Sequence, residues 1–155
     1  MSVTVILSMA ACNSKTAFNY SQDIVKKEKS LMADITTTEG NVKTYMENEQ
    51  YDSIAYAGER MEKIVDLQLK EIKDKAAPDV KEGENFKEAA IKYFTFIKIM
   101  YSGYKSFGSA ATPEDREEEL LKLSELVEKK EAAVNDMQKA QKKYAEANGF
   151  KLELK

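Results

Sequence analysis

The chain has 155 residues, of which 33% are charged, yet its net charge is only −3. Such balance argues against a nucleic-acid partner, which would call for a basic stripe, and 43% hydrophobic content is enough to build one core. There is no histidine and a single cysteine, so most neutral-pH acid–base chemistry, imidazole-ligated metal or haem, and any intrachain disulfide are excluded.

The chain opens on an apolar run, Val3–Ala11, too short to span a bilayer and about the length of a signal-peptide core. Ala10 and Ala11 precede Cys12, after which the sequence turns polar. This resembles a bacterial lipobox, in which the cysteine becomes the lipidated first residue. Met9 stands where leucine is usual, and no lysine or arginine precedes the run, as in a start that lies within a longer signal peptide. On this reading residues 1–12 are a signal-peptide remnant, residues 13–155 form one domain, and Asn13–Thr16 tether it. The other reading makes residues 1–12 a buried strand or a helix extension and Cys12 an ordinary small hydrophobe.

Beyond Cys12 the apolar residues recur with the helical period, and no alternation of strand length appears. Only two prolines and six glycines interrupt the chain. A first helix is predicted from between Ser14 and Asn19 to about Glu49, with Tyr20, Ile24, Leu31, Ile35, Val42, Tyr45 and Met46 inward. Three β-branched threonines and a glycine in Thr36–Asn41 lower helix propensity by roughly 2–3 kcal/mol, so a bend or a break is expected there.

Asn48–Tyr51 reads as a turn, with Asp52 capping the second helix. That helix turns Ile54, Ala57, Met61, Ile64, Val65, Leu69 and Ile72 inward, with Glu59/Lys63 and Glu71/Lys75 as ion pairs one turn apart. After a loop at Ala76–Gly83, a third helix over Glu84–Phe107 is the most apolar, its stripe running from Phe86 to Tyr104. Gly108–Ala111 forms the next loop. The fourth helix has Thr112 as its cap and Pro113 at its first position. Leu120, Leu123, Val127, Val134, Met137 and Tyr144 are expected to face the core, and Gly149 with Phe150 to end the helix in a Schellman turn. The expected fold is an all-α, antiparallel up-down-up-down four-helix bundle with long first and fourth helices.

No catalytic residue, cofactor or metal site emerges from this pattern. A di-iron bundle needs Glu-x-x-His pairs, and no phosphate loop or nucleophile elbow occurs. The acidic residues of the fourth helix fall mostly outside its apolar stripe and read as a solvated face. Two constellations remain. Tyr93, Tyr101 and Tyr104 read first as core packing, and alternatively as the lining of a ligand pocket. Phe96 and Ile99 fall outside the third helix's stripe, with Gly103 on the same flank, and form a candidate partner patch. The alternative is that the stripe wraps further and a long outer helix covers Phe96.

The order of segments adds a resemblance. Tyr20…Ile24-Val25 opens a helix, the Pro78 loop follows, then Glu84-Asn85-Phe86-Lys87-Glu88-Ala89-Ala90…Tyr93-Phe94, Ser124–Glu131 and Gln141–Phe150. Together they resemble a family of small surface lipoproteins found in spirochaetes and Bacteroidetes-type bacteria. The resemblance implies an all-helical fold and a lipid anchor at Cys12, and it brings no catalytic residues with it. The expectation is a cell-envelope binding or structural module, not an enzyme, held to a membrane by Cys12 and meeting an envelope protein partner. A small-molecule sensor or carrier with its ligand between the helices is the alternative.

Overall fold

The computed structural model describes the backbone of residues 7–152 and side chains from Asn13 onward. Four helices account for almost all of it: α1 (Leu7–Glu47), α2 (Tyr51–Asp74), α3 (Gly83–Ser109) and α4 (Pro113–Ala147). Among the described residues there is no strand. Each helix packs on its neighbours in sequence, and α1 also meets α4, which closes an up-down-up-down four-helix bundle. At 41 and 35 residues, α1 and α4 outrun α2 and α3, at 24 and 27.

Helix α1 begins at Leu7, well before the expected start between Ser14 and Asn19. No glycine or proline lies between Leu7 and Asn19, so nothing in the local sequence stops the helix there. Of the bend or break expected at Thr36–Asn41, the break does not occur, since α1 is continuous through it. The Thr36 and Thr37 hydroxyls donate to the carbonyls of Met32 and Ala33 at 2.8 and 2.9 Å, while Thr38 is buried, so the helix runs on to its anchor at Val42. Tertiary packing outweighs the poor local propensity.

Asp52 does not cap α2. The cap position is Gln50, whose side chain makes no capping bond, and Asp52 sits in the first turn, where its charge complements the helix dipole. Glu59 and Lys63 pair at 2.8 Å as expected, but Glu71 and Lys75 do not pair with each other. Glu71 instead meets Lys27, and Lys75 meets Asp23 at 2.8 Å, so both charges tie α2 to α1.

The α2–α3 seam is the tightest in the bundle because two glycines remove side chains from it. A β-carbon on Gly58 would stand 2.5 Å from the Lys105 nitrogen, and one on Gly108 would stand 2.5 Å from the Tyr51 carbonyl oxygen. Ile54, Met61, Val65, Leu69 and Ile72 of α2 fill the rest of this core against Phe86, Phe94, Ile97 and Tyr101.

Both ends of α4 follow their sequence signals. The Thr112 hydroxyl accepts from the Asp115 N–H at 3.0 Å, with Pro113 at the first position. At the other end Gly149 adopts φ +69°, and the Phe150 N–H donates to Ala145 at 3.1 Å. Phe150 then packs edge-on against Tyr144 and Phe18, next to a buried cluster of Tyr20, Phe86 and Tyr144. The inner face of α4 is rotated from the expected one. Leu123, Met137, Tyr144 and Ala145 are buried, whereas Leu120 and Val127 are 47% and 54% exposed. The expected stripe shares Leu123, Met137 and Tyr144 with the real one but drifts toward the α1 side at Leu120, Val127 and Val134.

Candidate functional site

That drift marks where the bundle is open. Of the neighbouring helix pairs, α1 and α4 meet least. They touch at the aromatic end, where Gln141 donates to Ser21 at 3.3 Å and Tyr20 meets Tyr144. Farther along they part, leaving a cavity of about 260 Å³. Met32 and Ile35 of α1 form one bank, Lys130 and Val134 of α4 the other, and Tyr93, Phe96, Ile97, Met100 and Tyr101 of α3 the floor. A wider groove of about 650 Å³ shares Glu28, Tyr93 and Val134 with it and runs toward Phe150. Val127 and Leu120 precede Val134 by seven and fourteen residues, so helical periodicity keeps them on the same flank of α4. Met32 on the facing bank is 49% exposed.

The three tyrosines singled out in the sequence come together on α3, facing α1. The Tyr93 hydroxyl donates to Glu28 at 2.9 Å. Tyr101 and Tyr104 donate to the two oxygens of one carboxylate, Glu39, at 3.1 and 2.9 Å. Tyr93 and Tyr101 line the cleft, whereas Tyr104 supports it from behind through Glu39. Burial first, then the neighbouring glutamate charge, pushes all three phenols well above their ordinary range, so they remain neutral donors.

Phe96, Ile99 and Gly103 do not form one open patch. Phe96 is half-buried and belongs to the cleft floor. Gly103 lies under Leu123 and Leu126 of α4, where its missing side chain admits a helix of this same chain. Only Ile99 stands out, 46% exposed. The side chain of Cys12 lies outside the described residues, although its backbone is part of α1.

Sequence reasoning missed Glu28, Glu39 and Met32. Glu28 and Glu39 border the apolar stripe of α1 and recur after three turns, a signal present in the sequence but without meaning until α4 is seen to stand away.

Among the described residues no helix is long and apolar enough to cross a membrane, and no group of three acidic or cysteine side chains gathers as for a metal ion. Fold and site together define an all-α four-helix bundle with one open, tyrosine-floored seam. Comparison of the chain with protein-family models, curated proteins and solved structures gives no match.

Proposed function

We propose that this is a non-catalytic binding module of the bacterial cell envelope, tethered by lipid at Cys12, whose binding element is the α1–α4 cleft. The observation that carries the reading is the apolar surface left open where α1 and α4 part beyond their contacts at Tyr20–Tyr144 and Ser21–Gln141. Val127, Leu120 and Met32 stay in water although the bundle has the length to cover them, and a concave apolar site with a few convergent polar groups is the usual form of a ligand pocket. The cleft also favours a ligand between the helices over an outer protein-binding patch, since Phe96 faces into it.

The tether draws support from the lipobox-like junction itself, in which Ala10 and Ala11 precede Cys12 at the point where the apolar run gives way to polar sequence.

The cleft is tested with the apolar dye Nile red. Its emission should rise with the native chain and fall to background in Met32→Arg and Val134→Arg, with helicity and melting temperature held within a few degrees. Equal emission from all three proteins would remove the cleft as the binding element.

A further inference from the structure

Glu28 and Glu39 occupy the same face of α1, about 16 Å apart along its axis at the ordinary helical rise, and both line the cavity. Neither has an ion-pair partner among the described residues. Two other acids of α1 are matched, Asp23 by Lys75 at 2.8 Å and Asp34 by Arg60 at 3.0 Å. The tyrosine hydroxyls hold Glu28 and Glu39 in place but bring no charge. Two carboxylates held by tyrosine hydroxyls, without ion-pair partners among the described residues and spaced along one apolar-walled cavity, present paired acceptors for cationic groups.

We infer that the cleft binds a slender aliphatic cation of the alkanediamine or polyamine class, with one protonated amine at Glu28 and another at Glu39. This rests on the reading of the cleft as the binding element. Between the two carboxylates the wall is apolar, with Met32 and Ile35 facing Phe96, which suits methylene groups and not a hydrated ion. The wide spacing of the two carboxylates along one cavity of about 260 Å³ is what favours an extended chain as the bridging ligand. Tyrosine rings beside each carboxylate add a second attraction for ammonium groups. Lys130, on the opposite bank, also lines the cavity and forms no ion pair among the described residues. Its butyl stem and ammonium have the same chemistry as the ligand, so it competes for the same carboxylates.

The experiment uses the full chain and three probes sharing a ten-carbon chain: diaminodecane, decanediol and sebacate. Tyrosine emission, free of tryptophan in this sequence, and the melting temperature report binding. Diaminodecane should bind at least about tenfold more tightly than decanediol, the scale of one good charge pairing, and sebacate should not bind. Glu28→Gln and Glu39→Gln should each weaken the diamine about tenfold and leave the diol unchanged, while Lys130→Met should tighten the diamine. Should Glu39→Gln unfold through loss of its tyrosine partners, Glu28→Gln and Lys130→Met decide the matter. Equal binding of diol and diamine, indifferent to the glutamates, would overturn the cation and leave the cleft standing. Preferential binding of sebacate would overturn it as well, by assigning the cleft to anions. No binding of any probe overturns the inference, and if Nile red also ignores Val134→Arg, the cleft reading falls with it.

Discussion

The Cδ2 atom of Leu123 lies 2.6 Å from where a β-carbon on residue 103 would stand, so α4 seats a leucine on a glycine of α3. The obstacle there is the tip of a flexible side chain, which can turn aside. At Gly58 and Gly108 the obstacle is backbone, which cannot. Gly58→Ala and Gly108→Ala should therefore cost about 2–4 kcal/mol by forcing α2 from α3. Gly103→Ala should stay within about 1 kcal/mol, since the gain in helix propensity of up to about 1 kcal/mol offsets the shift of Leu123. Urea denaturation of the three variants checks the order. Equal losses at all three would mean that the α3–α4 seam is as rigid as the α2–α3 seam.

Along α4 the buried and open flanks should separate cleanly. Met137→Ala and Leu123→Ala remove buried side chains and should each cost about 2–4 kcal/mol. Val127→Ala, at 54% exposure, should stay within about 0.5 kcal/mol, as should Glu128→Ala. Denaturation midpoints at constant slope provide the measurement, and a Val127→Ala loss near that of Met137→Ala would place α1 against α4 along its whole length.

Val127 also shows what the sequence can and cannot carry. Apolar periodicity locates a helix and its apolar side, which is why four helices, the Thr112 cap and the Gly149 stop were all legible. Periodicity cannot say whether a neighbour arrives to cover that side. Leu120, Val127 and Val134 have the apolar spacing of a core face, yet Leu120 and Val127 are exposed and Val134 lines the cleft where α1 stands away from α4. The tyrosines were legible as a group, but their partners were not. Glu28 and Glu39 meet them across more than 60 residues of sequence, a pairing that no local pattern encodes. Close approach misled the reading at Gly103, where a missing side chain indicates a nearby backbone or side chain without saying whose it is.

Alkaline pH should unfold the bundle through its phenols. Burial pushes Tyr20 and Tyr144 up to about 12, and Tyr93, Tyr101 and Tyr104 are raised further still. The unfolded chain loses these protons near pH 10 while the folded chain keeps them. The unfolded state then binds fewer protons, so stability falls as pH rises. The contribution is complete below about pH 10 and is lost progressively toward pH 12 and beyond. Denaturation midpoints should be flat to about pH 9.5 and then drop, with tyrosinate absorbance from this group appearing only as helicity is lost. The Tyr20 and Tyr144 hydroxyls are buried without a hydrogen-bond partner among the described residues. Tyr144→Phe should accordingly be neutral or stabilising by about 1 kcal/mol. Destabilisation by more than that would mean the hydroxyl is satisfied in solution.

Phe96 and Ile99 differ in surroundings, and single variants should show it. Phe96→Ser removes a ring from the cleft floor and should cost about 1–3 kcal/mol while abolishing Nile red emission. Ile99→Ser, at 46% exposure, should change stability by no more than about 0.5 kcal/mol and leave dye binding intact. Loss of self-association or of a protein partner in Ile99→Ser alone would restore an outer interaction surface on α3.

The proposed tether is tested at Cys12. The α1 backbone passes through this residue without interruption, and Ala17 is already fully buried in the bundle. Five residues of helix rise only about 7–8 Å, so an acyl group on Cys12 would hold this end of the bundle close to the headgroups. Expressed behind a complete signal peptide in a lipoprotein-processing bacterium, the protein should partition into detergent and gain the mass of acyl chains. More than one chain is required, because a single one anchors only reversibly. Cys12→Ser should return the protein to the aqueous phase at its unmodified mass, with melting temperature and diamine binding unchanged. If partitioning and mass are the same with serine at this position, Cys12 is no anchor, and the cleft would have to act away from a membrane.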